Sequence, residues 1–246
     1  MSGRQGMYDH HISIFSPEGR LYQVEYALQA AKTVGGETAV GVRGKDSVAV
    51  VISKKVPDKS MDKDFVTRLY QINKKIGACM TGMHADSRAI VFKAREIASN
   101  FKQDNGYDIP VHYLAEKVAD QGQVYTQYAY GRPYGASALF ISLDDERGPQ
   151  LYRVEPSGTS HGYKAVAVGA KEPEATNQLE KAYKSKSDPD ETETIQRAIA
   201  CLQVTLQMDF KAADIEVGVV SNSRVGFVKL GAEEIDVHLN AIADRD

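Results

Sequence analysis

The sequence predicts an α+β fold built in layers, with helices outside and β-sheets packed face to face inside. Strand-like and helix-like segments come in separate blocks: strands, two helices, strands, two helices, strands, helix. That order is neither regular βαβ alternation nor an all-β meander, and segregated blocks bury their apolar faces best by stacking as layers. No internal repeat appears, and no linker is long enough to force a division. The 246 residues therefore read as one domain carrying an N-terminal extension.

The first helix is expected over 17–31. Ser16 suits the cap position, because its hydroxyl accepts a bond from a first-turn N–H that has no partner. Pro17 has no N–H to waste at the first helical position. Leu21, Val24, Leu28 and Ala31 recur three and four residues apart and form one apolar stripe; Tyr22, Glu25 and Tyr26 fall off it. TAVGV at 38–42 and SVAVVIS at 47–53 are β-rich runs separated by the turn RGKD, and 75–81 reads as a further buried strand. A long helix follows, with Ile90, Ala94, Ile97, Ala98 and Phe101 on one face and Asn105-Gly106 as its stop. Pro110 opens a second, with Leu114, Val118, Val124 or Tyr125, and Tyr128 facing inward. Strands return at 136–143, 150–155 and 164–168. Helices are expected near 172–185 and 190–208, split by the polar SKSDPDE. A hairpin joins 215–221 to 226–230, and a last helix at 233–243 carries Ile235, Leu239 and Ile242 on one side.

Composition narrows the function classes. Lys and Arg number 30 against 33 Asp and Glu, a net charge of −3 that gives no basic excess for nucleic acid. No apolar run approaches the roughly 20 residues of a membrane span, and MSGRQGMYDHH lacks the apolar core of a signal peptide. The two cysteines, Cys79 in GACMTG and Cys201 in IACLQV, are expected as buried free thiols in a reducing compartment. These features point to the cytoplasm or nucleus; Lys54-Lys55 and the KAYKSK run are weak basic clusters for nuclear entry.

Site chemistry is mostly missing. Only His10 and His11 among six histidines are close, and neighbours in an extended segment point to opposite sides, so no metal site is expected. Gly44-Lys45 comes nearest to a phosphate loop, but Ala39 stands at the first glycine position and Asp46 replaces the hydroxyl. No Gly-x-Ser-x-Gly elbow exists. Asp144-Asp145 and Glu233-Glu234 suit a turn and a helix N-terminus. No cofactor is expected.

Residues 8–31, YDHHISIFSPEGRLYQVEYALQAA, closely resemble the N-terminal signature of proteasome alpha subunits, in which a Tyr-Asp tail, a Pro-Glu-Gly-Arg turn and a Gln-Val-Glu-Tyr-Ala helix follow one another. Further similar stretches are Lys55-Val56-Pro57-Asp58-Lys59, Gly77–Gly82, Ala85-Asp86-Ser87-Arg88, Arg132-Pro133-Tyr134-Gly135, Glu155-Pro156-Ser157-Gly158 and Ile215–Val220. The ending, with Glu234-Ile235-Asp236 and Ala243–Asp246, is similar to one member of that family in particular.

The resemblance implies a four-layer αββα sandwich of the N-terminal nucleophile hydrolase type. It implies a structural, gating subunit of the outer ring of the 20S core in ATP- and ubiquitin-dependent degradation. Its partners would be other alpha subunits in a seven-member ring, beta-ring subunits, and the regulatory particle or other activators; unfolded protein substrates would pass through. Residues 1–15 would be the gate tail and 16–246 the ring-forming domain, with the 17–31 helix on the ring surface. Tyr8, Asp9, Pro17 and Tyr26 match the cluster that holds an open gate, with His10 where the family has Arg. Activator tails end in a carboxylate that meets a Lys; the matching position is Arg68, and Gly36, Gly82 and Met83 join it as pocket residues. Related beta subunits expose an N-terminal Thr as nucleophile. Aligning Val40-Gly41 with that strand puts Glu37 at the nucleophile position, Ser53 at the acidic partner and Arg68 about at the lysine, so no catalytic residue is expected. An active hydrolase would need cleavage before Thr38, and a free binding module of the same fold is the other alternative.

Overall fold

Two five-stranded antiparallel sheets stack face to face, and helices cover both outer faces. The computed structural model describes residues 10–56, 58, 60–185 and 188–244. Its strands are β1 (Thr38–Arg43), β2 (Ser47–Ser53), β3 (Leu69–Gln71), β4 (Ile76–Gly82), β5 (Ala136–Asp144), β6 (Gly148–Val154), β7 (Ser160–Gly162), β8 (Ala165–Gly169), β9 (Ile215–Ser221) and β10 (Val228–Lys229). The helices are α1 (Tyr22–Thr33), α2 (His84–Asn105), α3 (Val111–Gln127), α4 (Glu172–Ser185), α5 (Glu191–Leu206) and α6 (Ala232–Ala243). One sheet runs β10-β9-β2-β1-β8 and the other β3-β4-β5-β6-β7.

The layering follows from residue alternation along strands that are buried on both faces. In β2, Val48, Val50 and Ile52 point between the sheets, where they meet Cys79, Leu139, Ile141 and Leu151. Their neighbours Ala49 and Val51 point outward, onto Ile195, Ile199 and Leu202 of α5. In the other sheet, Ala78, Met80 and Phe140 face α2 and α3 through Ala94, Leu114 and Val118. A strand covered on both sides has no polar face to show, which is why these segments read as unbroken β-branched runs.

The expected helices and the 215–221 hairpin are present within a few residues. Gly106, at φ +80, stops α2 with its N–H on the Lys102 carbonyl at 2.9 Å. Asp190 caps α5 by accepting from the Glu193 N–H at 2.8 Å. Both cysteines are buried free thiols.

Four expectations need correction. The first helix begins at Tyr22 rather than Pro17. Gly19 at φ +76 closes a turn in which Ser16 accepts from the Gly19 and Arg20 N–H groups, so Ser16 caps that turn and not the helix. The face α1 buries is Tyr22, Ala27 and Ala31, while Leu21, Val24 and Leu28 are half-buried. Tyr128 is half exposed, because α3 ends at Gln127 and its Tyr128 is already extended. The edge strands β3 and β7, which the sequence pattern does not announce, are three residues each, too short to show an alternation.

Candidate functional site

Helix α1 lies across the open end of the sandwich and touches β4 and β5 of one sheet and β8 of the other. Its approach is close. Gly82 ends β4 at φ +92, and a methyl group there would fall 2.3 Å from the Gly135 carbonyl oxygen and 2.8 Å from Ala31 Cα. Met83 follows; its N–H donates to the Gly135 carbonyl at 2.9 Å and its own carbonyl accepts from the Ser87 N–H and hydroxyl. Asp86, buried in the first turn of α2, accepts Arg132 Nη1 and Nη2 at 2.7 and 2.9 Å and the Gly135 N–H at 2.8 Å. Burial alone would raise the Asp86 carboxyl, but the Arg132 guanidinium and the Gly135 N–H hold it below the usual carboxylate range. The loop before β5 is thus fixed beneath α1.

On the outer side of α1, Tyr26 is 46% exposed and stacks with Tyr22 at 6.2 Å between ring centroids. Arg20 lies 4.9 Å over the Tyr22 ring and pairs with Glu25 at 2.5 Å. Pro17 is exposed in the preceding turn. Ile12 is buried at 8% exposure and anchors the segment ahead of that turn, a contact the sequence pattern does not announce. Of the gate residues expected from sequence, Tyr8 and Asp9 lie outside the described residues; Pro17 and Tyr26 are both on this surface.

At the C-terminal end of α1 a cleft of about 460 Å³ opens, lined by Thr33, Gly35, Gly36, Glu37, Lys55 and Arg68. Gly36 and Arg68 therefore come together, whereas Gly82 and Met83 are outside this lining. His84, the next residue, is still within the field of Arg68: burial lowers its pKa first, and Arg68 and Arg88 lower it further. Arg68 is committed. Its Nε and Nη2 donate to Glu37 Oε1 at 3.1 and 2.7 Å, and the two side chains are only 11% and 7% exposed. The Arg68 N–H also donates to Glu216 Oε2 at 2.8 Å. Gly35 is required here at φ +87, since a methyl group would sit 2.1 Å from Glu37 Oε2. Lys55 is the cation of the lining that stays exposed, above Gly36.

Glu37 and Thr38 offer little for nucleophilic chemistry. Thr38 is fully buried at the start of β1, its hydroxyl accepts the Lys171 N–H at 3.2 Å, and its own N–H is a peptide group donating to Ser53 Oγ at 3.2 Å. Nucleophile activation needs a free hydroxyl beside a base. Sequence reading missed the Glu37–Arg68 pair, which joins residues 31 apart, and the place of Lys55 in the same cleft. Among the described residues no cluster of His, Cys, Asp and Glu fits a metal ion, and no helix is long and apolar enough to cross a membrane.

Comparison with known proteins agrees with this architecture. Residues 33–220 match the family model described as proteasome subunit, and residues 8–30 match the N-terminal signature of A-type proteasome subunits. The chain is 46% identical over 244 residues to the alpha type-6 proteasome subunit of Caenorhabditis elegans, covering 99% of each chain. It is 44% identical to the probable alpha type-1 proteasome subunit of Schizosaccharomyces pombe over the full length of both. With the alpha proteasome subunit of Methanosarcina acetivorans it shares 35% identity over 97% of this chain and 94% of that one. With the signature sitting on the turn and helix that close the sandwich, and relatives matching from end to end, this chain belongs to the proteasome subunit family, in its alpha type.

Proposed function

We propose that this chain is a non-catalytic structural and gating subunit of the outer alpha ring of the 20S proteasome core. The observation that carries the reading is the alpha-type signature over residues 8–30, which ends on α1. Residues 1–15 serve as the gate tail and 16–246 as the ring-forming domain. Tyr8, Asp9, Pro17 and Tyr26 hold the open gate, with rigid aromatic area on α1 and a fixed turn at Pro17 as the physical means. The cleft with Gly36 and Arg68 receives the carboxylate-ended tails of the regulatory particle and other activators, with Gly82 and Met83, which lie outside the cleft lining, as the remaining residues of the proposed pocket. Neighbours are other alpha subunits in a seven-member ring and beta subunits below; unfolded chains pass through in the cytoplasm and nucleus.

Absence of catalysis by this chain is supported by Glu37, ion-paired at the position where a nucleophile would stand, and by the buried hydroxyl of Thr38. Native mass spectrometry of the complex purified through a C-terminal tag on this chain tests the reading. A particle many times the mass of one chain, holding homologous subunits and this chain with its N-terminal region, is the expected result. A lone monomer, or a chain starting at Thr38, would overturn it.

A further inference from the structure

A second cationic cleft, of about 310 Å³, lies on the other side of the 66–69 segment, between it and the β9–β10 hairpin. Its floor is apolar: Ala213 and Ala232 are exposed there, above Leu69, Ile215 and Val217, which are buried beneath. Its rim carries three ammonium groups, from Lys54, Lys63 and Lys229, against one carboxylate, Glu216. That carboxylate is already engaged, since Glu216 Oε2 accepts the Arg68 N–H at 2.8 Å. Gathering three cations around one small cleft costs Coulomb energy. A chain of net charge −3 has no general excess of lysine that would put them there by chance. Burial lowers the Lys229 pKa, Glu216 opposes that, and Lys54 adds to the lowering, so the charged form is held against resistance. Lys229 reaches in far enough to donate to Thr67 Oγ1 at 2.9 Å.

We propose that this cleft docks an acidic, partly apolar segment of a partner protein, whose carboxylates meet Lys54, Lys63 and Lys229 and whose apolar side chain rests on Ala213 and Ala232. Charge complementarity chooses the sign of the partner. The apolar floor chooses a peptide over a small inorganic anion. β10 is the edge of its sheet but is two residues long, and the Phe227 N–H ahead of it already donates to the Lys74 carbonyl at 3.1 Å, so the segment is held by side chains and not by strand addition. A lone lysine on an edge strand deters unwanted pairing; that role needs one lysine and does not account for three.

The test is fluorescence anisotropy of a labelled octapeptide alternating Glu and Leu, titrated with the full chain and with the particle that carries it. The expected result is saturable, salt-sensitive binding that weakens at least tenfold in the Lys54→Gln/Lys229→Gln variant, and is lost with a peptide in which Gln replaces Glu. Lys63→Gln provides a second variant on an exposed residue, expected to weaken binding severalfold without disturbing the fold, which circular dichroism checks. No binding, equal binding by wild type and the lysine variants, equal binding of the Gln peptide, or lysine-dependent binding of tripolyphosphate without the peptide would each overturn the proposal. Particle assembly is scored separately, so failure here leaves the alpha-ring reading standing.

Discussion

Arg68 carries two demands at one position, and they pull in different directions. As a structural residue it neutralises Glu37 across the gap between the sheets, because Glu37 leads into β1 and Arg68 leads into β3. As a cleft residue it is the cation expected to meet a carboxylate-ended tail. Removing one member of a buried pair leaves the other uncompensated, at a cost of about 3 kcal/mol or more. Arg68→Ala is therefore expected to lower the urea midpoint of the chain clearly, whereas Glu37→Gln with Arg68→Met, which removes both charges and keeps volume, loses far less. In the particle, Arg68→Ala should weaken activator stimulation of peptide hydrolysis while rings still assemble; unchanged stimulation would remove Arg68 from the docking site. Sequence alone placed Arg68 by resemblance but not its partner. Nothing in the spacing of residues 37 and 68 signals that two different sheets bring them within hydrogen-bond reach.

At the scale of elements, α1 shows how local chemistry can mislead about a boundary while the helix itself stays legible. Ser16-Pro17 satisfies the cap rule, and Ser16 does accept N–H bonds, but from a turn closed by Gly19. Of the apolar stripe counted by spacing only Ala31 is buried, while Leu21, Val24 and Leu28 are half-buried, and the buried face is Tyr22, Ala27 and Ala31. Tyr22→Ala should cost the isolated chain about 3 kcal/mol, as deletion of a buried aromatic ring does. Leu28→Ala should cost about 1 kcal/mol in the isolated chain and show its larger effect in ring assembly, read by native gel; an equal loss of stability in both variants would contradict this division of faces. Asp86 adds a pH dependence to the loop beneath α1. Its folded pKa lies below the unfolded value of about 3.9, so its contribution is complete above that value and is lost as pH falls through the folded pKa. Asp86→Asn should flatten the acid limb of the stability profile and speed proteolysis of the 128–135 loop near neutral pH; an unchanged acid limb would contradict the assignment.

At the scale of the whole molecule, the layers were legible because burial on both faces writes itself into β1, β2, β4 and β5 as continuous apolar runs, while α2 and α5 keep helical spacing. Which sheet each strand joins was not legible, since β9 keeps its hairpin partner β10 on one side and on the other pairs with β2, more than 160 residues away in sequence. The two cysteines report on separate layers of this stack. Cys79 faces the interior between the sheets, and Cys201 sits between one sheet and its helical cover. Burial pushes the Cys79 thiol far up, and the Cys201 thiol to about 11 against a small opposing bond with Thr205, so neither forms thiolate readily at neutral pH. Each thiol should react with a chromogenic disulfide only when its own layer opens. If the four layers unfold as one unit, both cysteines become reactive over the same urea range, as a two-state domain requires. Mass spectrometry of partly labelled chains should then show unlabelled and doubly labelled species with little between. Accumulation of chains labelled at Cys201 alone would mean that the α4–α5 cover detaches before the sheets separate, and cooperativity would belong to the paired sheets and not to the whole stack.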